Sequence, residues 1–250
     1  MELSSVILRV NSPERLARFY TGTLGMTEQV KDDGRHLSYA DKDAALILRQ
    51  AGTGGTYRDS PDDRYWKIGI TLPNVDIAYH QLGRAGIDVS EPRQFQDIGY
   101  MCHLRDPDGF SIELLQHHFE NNRPPDAGTP KLPLGGGARI GQITLRTTDI
   151  AADLALYRDQ LGMRLLSVQP VETHGFTLYF LAMTEEVPPL DDLNAIGNRE
   201  WLWQRPYTTL EFQHLEKSGH AVVPGKAAGA GFEGICLNAD QICRAPVTLA

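Results

Sequence analysis

Cysteine is scarce in this 250-residue chain, where Cys102, Cys236 and Cys243 make an odd set with no CxxC spacing. That excludes a disulfide-stapled secreted scaffold and leads to the expectation of a reducing, cytoplasmic setting. Positive charge is in deficit as well, with 24 Lys and Arg against 32 Asp and Glu, a net charge of −8, and no basic block. Nucleic acid is therefore not an expected partner, because the phosphate-binding electrostatic term is missing. Long apolar runs are absent: nothing approaches the roughly 20 residues of a membrane span. Arg9 and Pro13-Glu14-Arg15 break up the start of the chain, so neither a leader nor a membrane partner is expected. What remains, at 41% hydrophobic and 22% charged, is a folded chain with a sizeable core. Its partner is expected to be a small molecule, as substrate or ligand.

The two halves repeat one another. Leu8, Arg9, Tyr20, Leu24, Gly25 and Met26 recur as Leu145, Arg146, Tyr157, Leu161, Gly162 and Met163, at a constant offset of 137 residues, which marks a duplicated module. In each copy a β-branched run leads into a polar turn, Asn11-Ser12-Pro13 or Thr147-Thr148-Asp149, suited to cap a helix. Leu16, Phe19 and Tyr20, then Leu154, Leu156, Tyr157 and Leu161, fall near helical spacing, and Gly25 or Gly162 stops the helix. Alternating stretches at Ala44–Leu48 and Thr177–Leu181 read as strands.

A second kind of unit opens with the strand Trp66–Leu72, continues through a helix from near Val75 to Gly86, and closes in a hairpin around Asp106-Pro107-Asp108-Gly109. Its counterpart begins at Phe232–Asn238 and stops at Ala250, so a truncated fourth module with an open sheet edge is expected. Pro124-Pro125, Pro130, Pro133 and Gly135-Gly136-Gly137 cannot sustain a helix or sheet interior. The reading is α+β, with tandem βαβββ modules and cupped mixed sheets in two domains, residues 1–120 and 139–250, joined by a linker over 121–138.

Strand-helix-strands modules with LGM after the helix and DPDG before the last strand resemble the vicinal oxygen chelate superfamily of glyoxalases, extradiol dioxygenases and bleomycin-resistance proteins. In the third module, Phe176–Ala182, Trp201 and Thr208-Thr209-Leu210-Glu211-Phe212-Gln213-His214 are most similar to eukaryotic-type glyoxalase I. The resemblance implies a cup holding one divalent metal (zinc, nickel, manganese or iron), with ligands at Glu113, Gln142 and Glu211. The place of a fourth ligand, a histidine, holds Lys67. Arg146 falls on the family's substrate-binding arginine, whereas Leu215 stands where an asparagine contacts glutathione. In the first module the ligand places hold Ser5 and Ile47, and in the fourth Gly234, so no second metal site is implied. A composite site requires the second and third modules to pair across the linker.

The residues alone add two points. Two carboxylates and an amide oxygen form a hard donor set, able to hold a cation or, through Glu113 and Glu211, to move a proton. An ammonium at Lys67 repels a dication and can pair with either carboxylate or meet substrate, which leaves the cofactor open between a divalent metal and none. If Asp106 to Phe110 turn with Gly109 left-handed, His103 lies opposite Glu113 on the same face. His103 is then a ligand, an acid or base, or a hydrogen-bond partner of Glu113. Three functions are consistent with this reading: a metal-dependent lyase or isomerase acting on an α-oxygenated carbonyl compound or its thiol adduct, a metal-free binding or sequestering protein, and, lacking two histidine ligands, least of all an extradiol dioxygenase. A homodimer is left open.

Overall fold

The duplicated motif folds the same way twice in the computed structural model, which describes residues 2–40, 43–52, 55–216, 222, 229–238 and 242–244. Strand β1 (Glu2–Val10) feeds helix α1 (Pro13–Gly22), whose cap Ser12 accepts a hydrogen bond from the Arg15 amide, and β2 (Thr27–Lys31), β3 (Gly34–Ser38) and β4 (Ala45–Gln50) follow. The second module runs β5 (Tyr65–Leu72), α2 (Val75–Arg84), β6 (Arg93–Phe95), β7 (Gly99–Arg105) and β8 (Ser111–Gln116). In the third, β9 (Arg139–Thr147) precedes α3 (Ile150–Leu154), capped by Asp149, and then β10 (Arg164–Val171) and β11 (Phe176–Ala182). Helix α4 (Gly197–Trp203) and β12 (Thr209–Leu215) complete it, and β13 (Gly231–Asn238) and β14 (Ile242–Arg244) are the described strands of the fourth.

The repeated Leu-Gly-Met has a shared cause. Gly25 and Gly162 adopt φ of 77° and 75°, a left-handed turn open to glycine. It returns the next amide to the helix: Met26 N–H donates to Tyr20 O at 3.0 Å and Met163 N–H to Tyr157 O at 2.9 Å.

The modules pair in a crossed way. An eight-stranded sheet has the order β10-β11-β12-β9-β5-β8-β7-β6, and a six-stranded sheet β14-β13-β1-β4-β3-β2, so each takes strands from both sides of segment 121–138. In the larger sheet β5 and β9 are antiparallel neighbours, each flanked by its module's last strand in parallel. Segment 121–138 contains no strand and is docked on α2, with Gln81 Nε2 donating to the Pro130 and Leu132 carbonyls and its Oε1 accepting from Leu134 N–H.

Cys102 is a buried free thiol. Cys236 is disulfide-bonded, contrary to the expectation drawn from the odd cysteine count. The expected stop of the fourth module at Ala250 lies outside the described residues. Among the described residues no helix is long and apolar enough to cross a membrane.

Candidate functional site

The centre of the eight-stranded sheet carries two rows of inward side chains. Register places His103 opposite Glu113, Glu113 beside Gly69, and Gly69 opposite Gln142. The adjacent row sets Lys67 opposite Thr144, Thr144 beside Glu211, and Glu211 opposite Phe180. The β7–β8 turn fixes His103: Gly109 has φ of 97° and Asp106 N–H donates to Phe110 O at 3.0 Å, the bulged hairpin expected from the sequence. Gly69 leaves room for the Gln142 amide to fold across β5, since a Cβ there would collide with Gln142 Oε1.

These residues form one buried polar floor. Lys67, Glu113, Gln142 and Glu211 are each less than 5% exposed. Lys67 Nζ lies 2.7 Å from Glu113 Oε2 and 3.8 Å from Glu211 Oε2, and 4.6 Å from the centroid of Trp66. His103 Nε2 meets Glu113 Oε2 at 2.9 Å, and Thr144 Oγ1 donates to Glu211 Oε2 at 2.5 Å. Gln142 Oε1 is buried without a hydrogen-bond partner.

The two carboxyls are electrostatically unequal. Burial pushes both upward, but the Lys67 ammonium and the His103 hydrogen bond overcome it at Glu113, which is held down at about 2. At Glu211 burial prevails over Lys67 and Thr144, with the charge of Glu113 adding to it, so its pKa stands above the ordinary glutamate value. Burial acts against the charge of Lys67, yet Glu113 and Glu211 outweigh it and hold its pKa above 10.5. Such divergence of neighbouring carboxyls separates a permanently ionised group from one able to carry a proton.

Above the floor is a cavity of about 240 Å³ whose lining includes Trp66, Phe95, Phe176, Phe180 and Trp203, with Lys67, His103, Glu113, Gln142 and Glu211 at its polar end. Phe176 and Phe180 alternate on β11, and Trp203 comes from α4, held by its indole N–H donating to Ile98 O at 3.0 Å. The ring of Phe180 meets Trp203 edge-on at 5.3 Å, and that of Trp66 meets Phe176 at 6.4 Å. The loop before α4 is pinned by Asn198, whose amide exchanges hydrogen bonds with the Leu190 backbone.

Five of the six sequence-derived site residues thus line one cavity: Lys67, His103, Glu113, Gln142 and Glu211. Arg146 does not line the cavity but lies over Trp66, 5.4 Å from its ring centroid. Its Nη1 donates to the Ser60 carbonyl at 2.9 Å, within reach of the Asp63 and Tyr65 carbonyls, and tethers that loop outside the cavity lining. The sequence did not specify which aromatic residues of β11 form the wall. The alternation of Phe176, Leu178 and Phe180 contains it, but only the pairing of Phe180 with Glu211 shows which face is inward.

The donor set decides whether a divalent metal fits. Glu113, Gln142 and Glu211 offer three oxygens, but an ammonium already sits between the carboxylates, neutralising one charge and repelling a dication from the shared space. No group of three or more His, Cys, Asp or Glu able to hold a metal occurs among the described residues. With Lys67 charged, the site does not fit a divalent cation.

A duplicated, cupped fold with a polar floor defines the class. Residues 2–114 match the model of the Glyoxalase/Bleomycin resistance protein/Dioxygenase superfamily. It is 25% identical over 213 residues to Glyoxalase I of Saccharomyces cerevisiae, a match covering 72% of this chain and 62% of the relative. It is 23% identical over 190 residues to an Arabidopsis thaliana protein named "Probable lactoylglutathione lyase, chloroplastic", covering 72% of this chain and 50% of that one. The matches therefore span about half to three-fifths of these relatives. Glyoxalase I from Zea mays superposes with a TM-score of 0.61 at 19% identity, over 93% of this chain and 72% of the other, a likeness of fold.

Proposed function

We propose that the cup binds a small molecule with an apolar, ring-sized body and an α-oxygenated carbonyl head, and that it moves a proton on that head by means of its own side chains. One observation carries this reading: on the same buried floor an ammonium with donors to spare adjoins an amide oxygen that has no partner. Lysine has three N–H donors, and Glu113 engages Lys67 closely while Glu211 lies beyond hydrogen-bond distance. A carbonyl oxygen accepts from Lys67 and a neighbouring hydroxyl donates to Gln142 Oε1. The aromatic walls take the rest of the molecule.

In this reading Glu211 is the proton carrier, because its raised pKa makes the carboxylate a better base and the acid available nearer neutrality. Lys67 faces the negative charge that develops on the carbonyl oxygen as an enediolate forms. Glu113 stays ionised and positions Lys67, with His103 behind it. The names of the two curated relatives agree with chemistry on a small carbonyl compound.

The test uses 2-hydroxyacetophenone as probe, with binding read by calorimetry and solvent deuterium uptake at its α-carbon read by NMR, both in the presence of a chelator. Binding and exchange are expected in the wild-type protein. E211Q is expected to keep binding and lose exchange by about 100-fold or more. Absence of binding would refute the reading. Binding without exchange would establish the second reading, a metal-free binding or sequestering protein, which is favoured by the engagement of Glu113 with both Lys67 and His103.

A further inference from the structure

We infer that Lys67 is the device that excludes divalent cations from this cup, and that the oxygen donors around it remain arranged to hold one once its charge is removed. Glu113 and Glu211 reach the floor from two strands that flank the β5–β9 pair on opposite sides. Both point an Oε2 at the same ammonium. The third oxygen, Gln142 Oε1, is buried and unpartnered although the Gln142 amide folds across Gly69 toward this row. An orphaned acceptor of this kind is costly to keep, and here it adjoins two carboxylates that share one counter-ion. Two carboxylates from two strands thus flank one ammonium, and the Gln142 oxygen lines the same cavity from a third strand, so the cation of this floor belongs to the chain.

The ammonium differs from a metal in a way that matters chemically. It delivers hydrogen bonds only along its N–H directions and makes none to Gln142 Oε1, which is left without a partner. It also cannot be removed by a chelator. Replacing it by a neutral nitrogen donor on the same strand position restores two uncompensated carboxylates and yields one nitrogen and three oxygens, a set suited to zinc or nickel. The inference concerns the cation and is independent of which ligand occupies the cavity, so its test reads metal content and leaves small-molecule binding to be read separately.

The experiment is elemental analysis by mass spectrometry after incubation with zinc or nickel and gel filtration, applied to the wild type, E211Q, K67H, K67Q and K67H/E211Q, with circular dichroism to confirm folding. The wild type is expected to retain less than about a tenth of an equivalent, K67H about one equivalent, and K67H/E211Q to lose most of it. K67Q, neutral and offering an oxygen, carries the same comparison should K67H fail to fold. One equivalent on the wild type that disappears in E211Q would overturn the inference, since the ammonium would then be no barrier. Folded K67H and K67Q that both bind nothing would overturn it equally, since the donors would then not be arranged for a cation.

Discussion

The two sheets are built on one plan and filled with opposite chemistry. Across the pseudo-symmetric centre of the larger sheet Lys67 faces Thr144, and Thr144 lies beside Glu211. At the matching centre of the smaller sheet Gly234 faces Ile7, and Ile7 lies beside Ile47. Where the first gathers an ammonium and two carboxylates, the second packs Ile7, Ile47 and Cys236 into a small apolar cluster. Ser5 takes the place of Gln142 and lies beside Ala45. The strand plan that β1–β4 share with β9–β12 thus supports either a buried ionic floor or dry packing, and the side chains at these few positions decide which it carries.

The contrast can be broken most forcefully at Lys67. K67M leaves two buried carboxyls without their counter-ion, and a loss of about 3–5 kcal/mol in urea unfolding at neutral pH is expected. That loss should shrink as pH falls, because protonation of Glu211 and Glu113 removes the unpaired charge. A pH-independent loss would assign Lys67 a packing role only.

A second effect lies at the seam between the sheets. Tyr20, on α1, donates to Asp106 Oδ2 at 2.9 Å, and burial raises the Asp106 carboxyl to about 6 from 3.8 despite that bond and those from the Asp108 and Phe110 amides. Because the folded-state pKa is the higher one, this contribution to stability is complete below pH 3.8 and is lost as pH rises through about 6. Its size is roughly 2–3 kcal/mol. Comparing the pH dependence of unfolding in the wild type and D106N checks it, and equal slopes between those two pH values would contradict it. Glu113 acts in the opposite sense: with a folded-state pKa of about 2 against 4.5, its contribution is present above pH 4.5 and lost as acid approaches pH 2.

Smaller effects sharpen the comparison. G69A forces the Gln142 amide off its present position, at a cost of about 1–3 kcal/mol, and is expected to weaken binding of the hydroxyl-bearing probe more than binding of acetophenone, which lacks that donor. Equal weakening would remove Gln142 from recognition. In the apolar sheet, I47V is expected to cost about 1 kcal/mol with no pH dependence and no change in probe binding.

Much of this was legible in the sequence, for identifiable reasons. The repeat of Leu, Gly and Met survives because a left-handed glycine and a returned amide are needed in both copies. The facing of His103 and Glu113 follows from counting back through a turn whose glycine must be left-handed. Lys67 was visible as an odd residue at a ligand place able to pair with Glu113 or Glu211, but the choice between them was not, because the 2.7 Å contact to Glu113 depends on how β5, β8, β9 and β12 assemble. The start of α4 was hidden because residues 185–200 are polar and proline-bearing, and their order comes from Asn198 and from the packing of Trp203 against Phe180. Arg146 illustrates the converse: a residue repeated in both copies because it tethers backbone carbonyls, as its counterpart Arg9 does at Gly229.

The central claim is that the cation of this cup is Lys67 itself. It is tested most directly by observing the Lys67 Nζ resonance in nitrogen-15 NMR, assigned by its absence in K67M. The account predicts an ammonium that is still protonated at pH 10.5, the ordinary lysine midpoint, that shifts when 2-hydroxyacetophenone is added, and that is unmoved by zinc. An amine that loses its proton well below that pH, or a signal displaced by zinc, would contradict it.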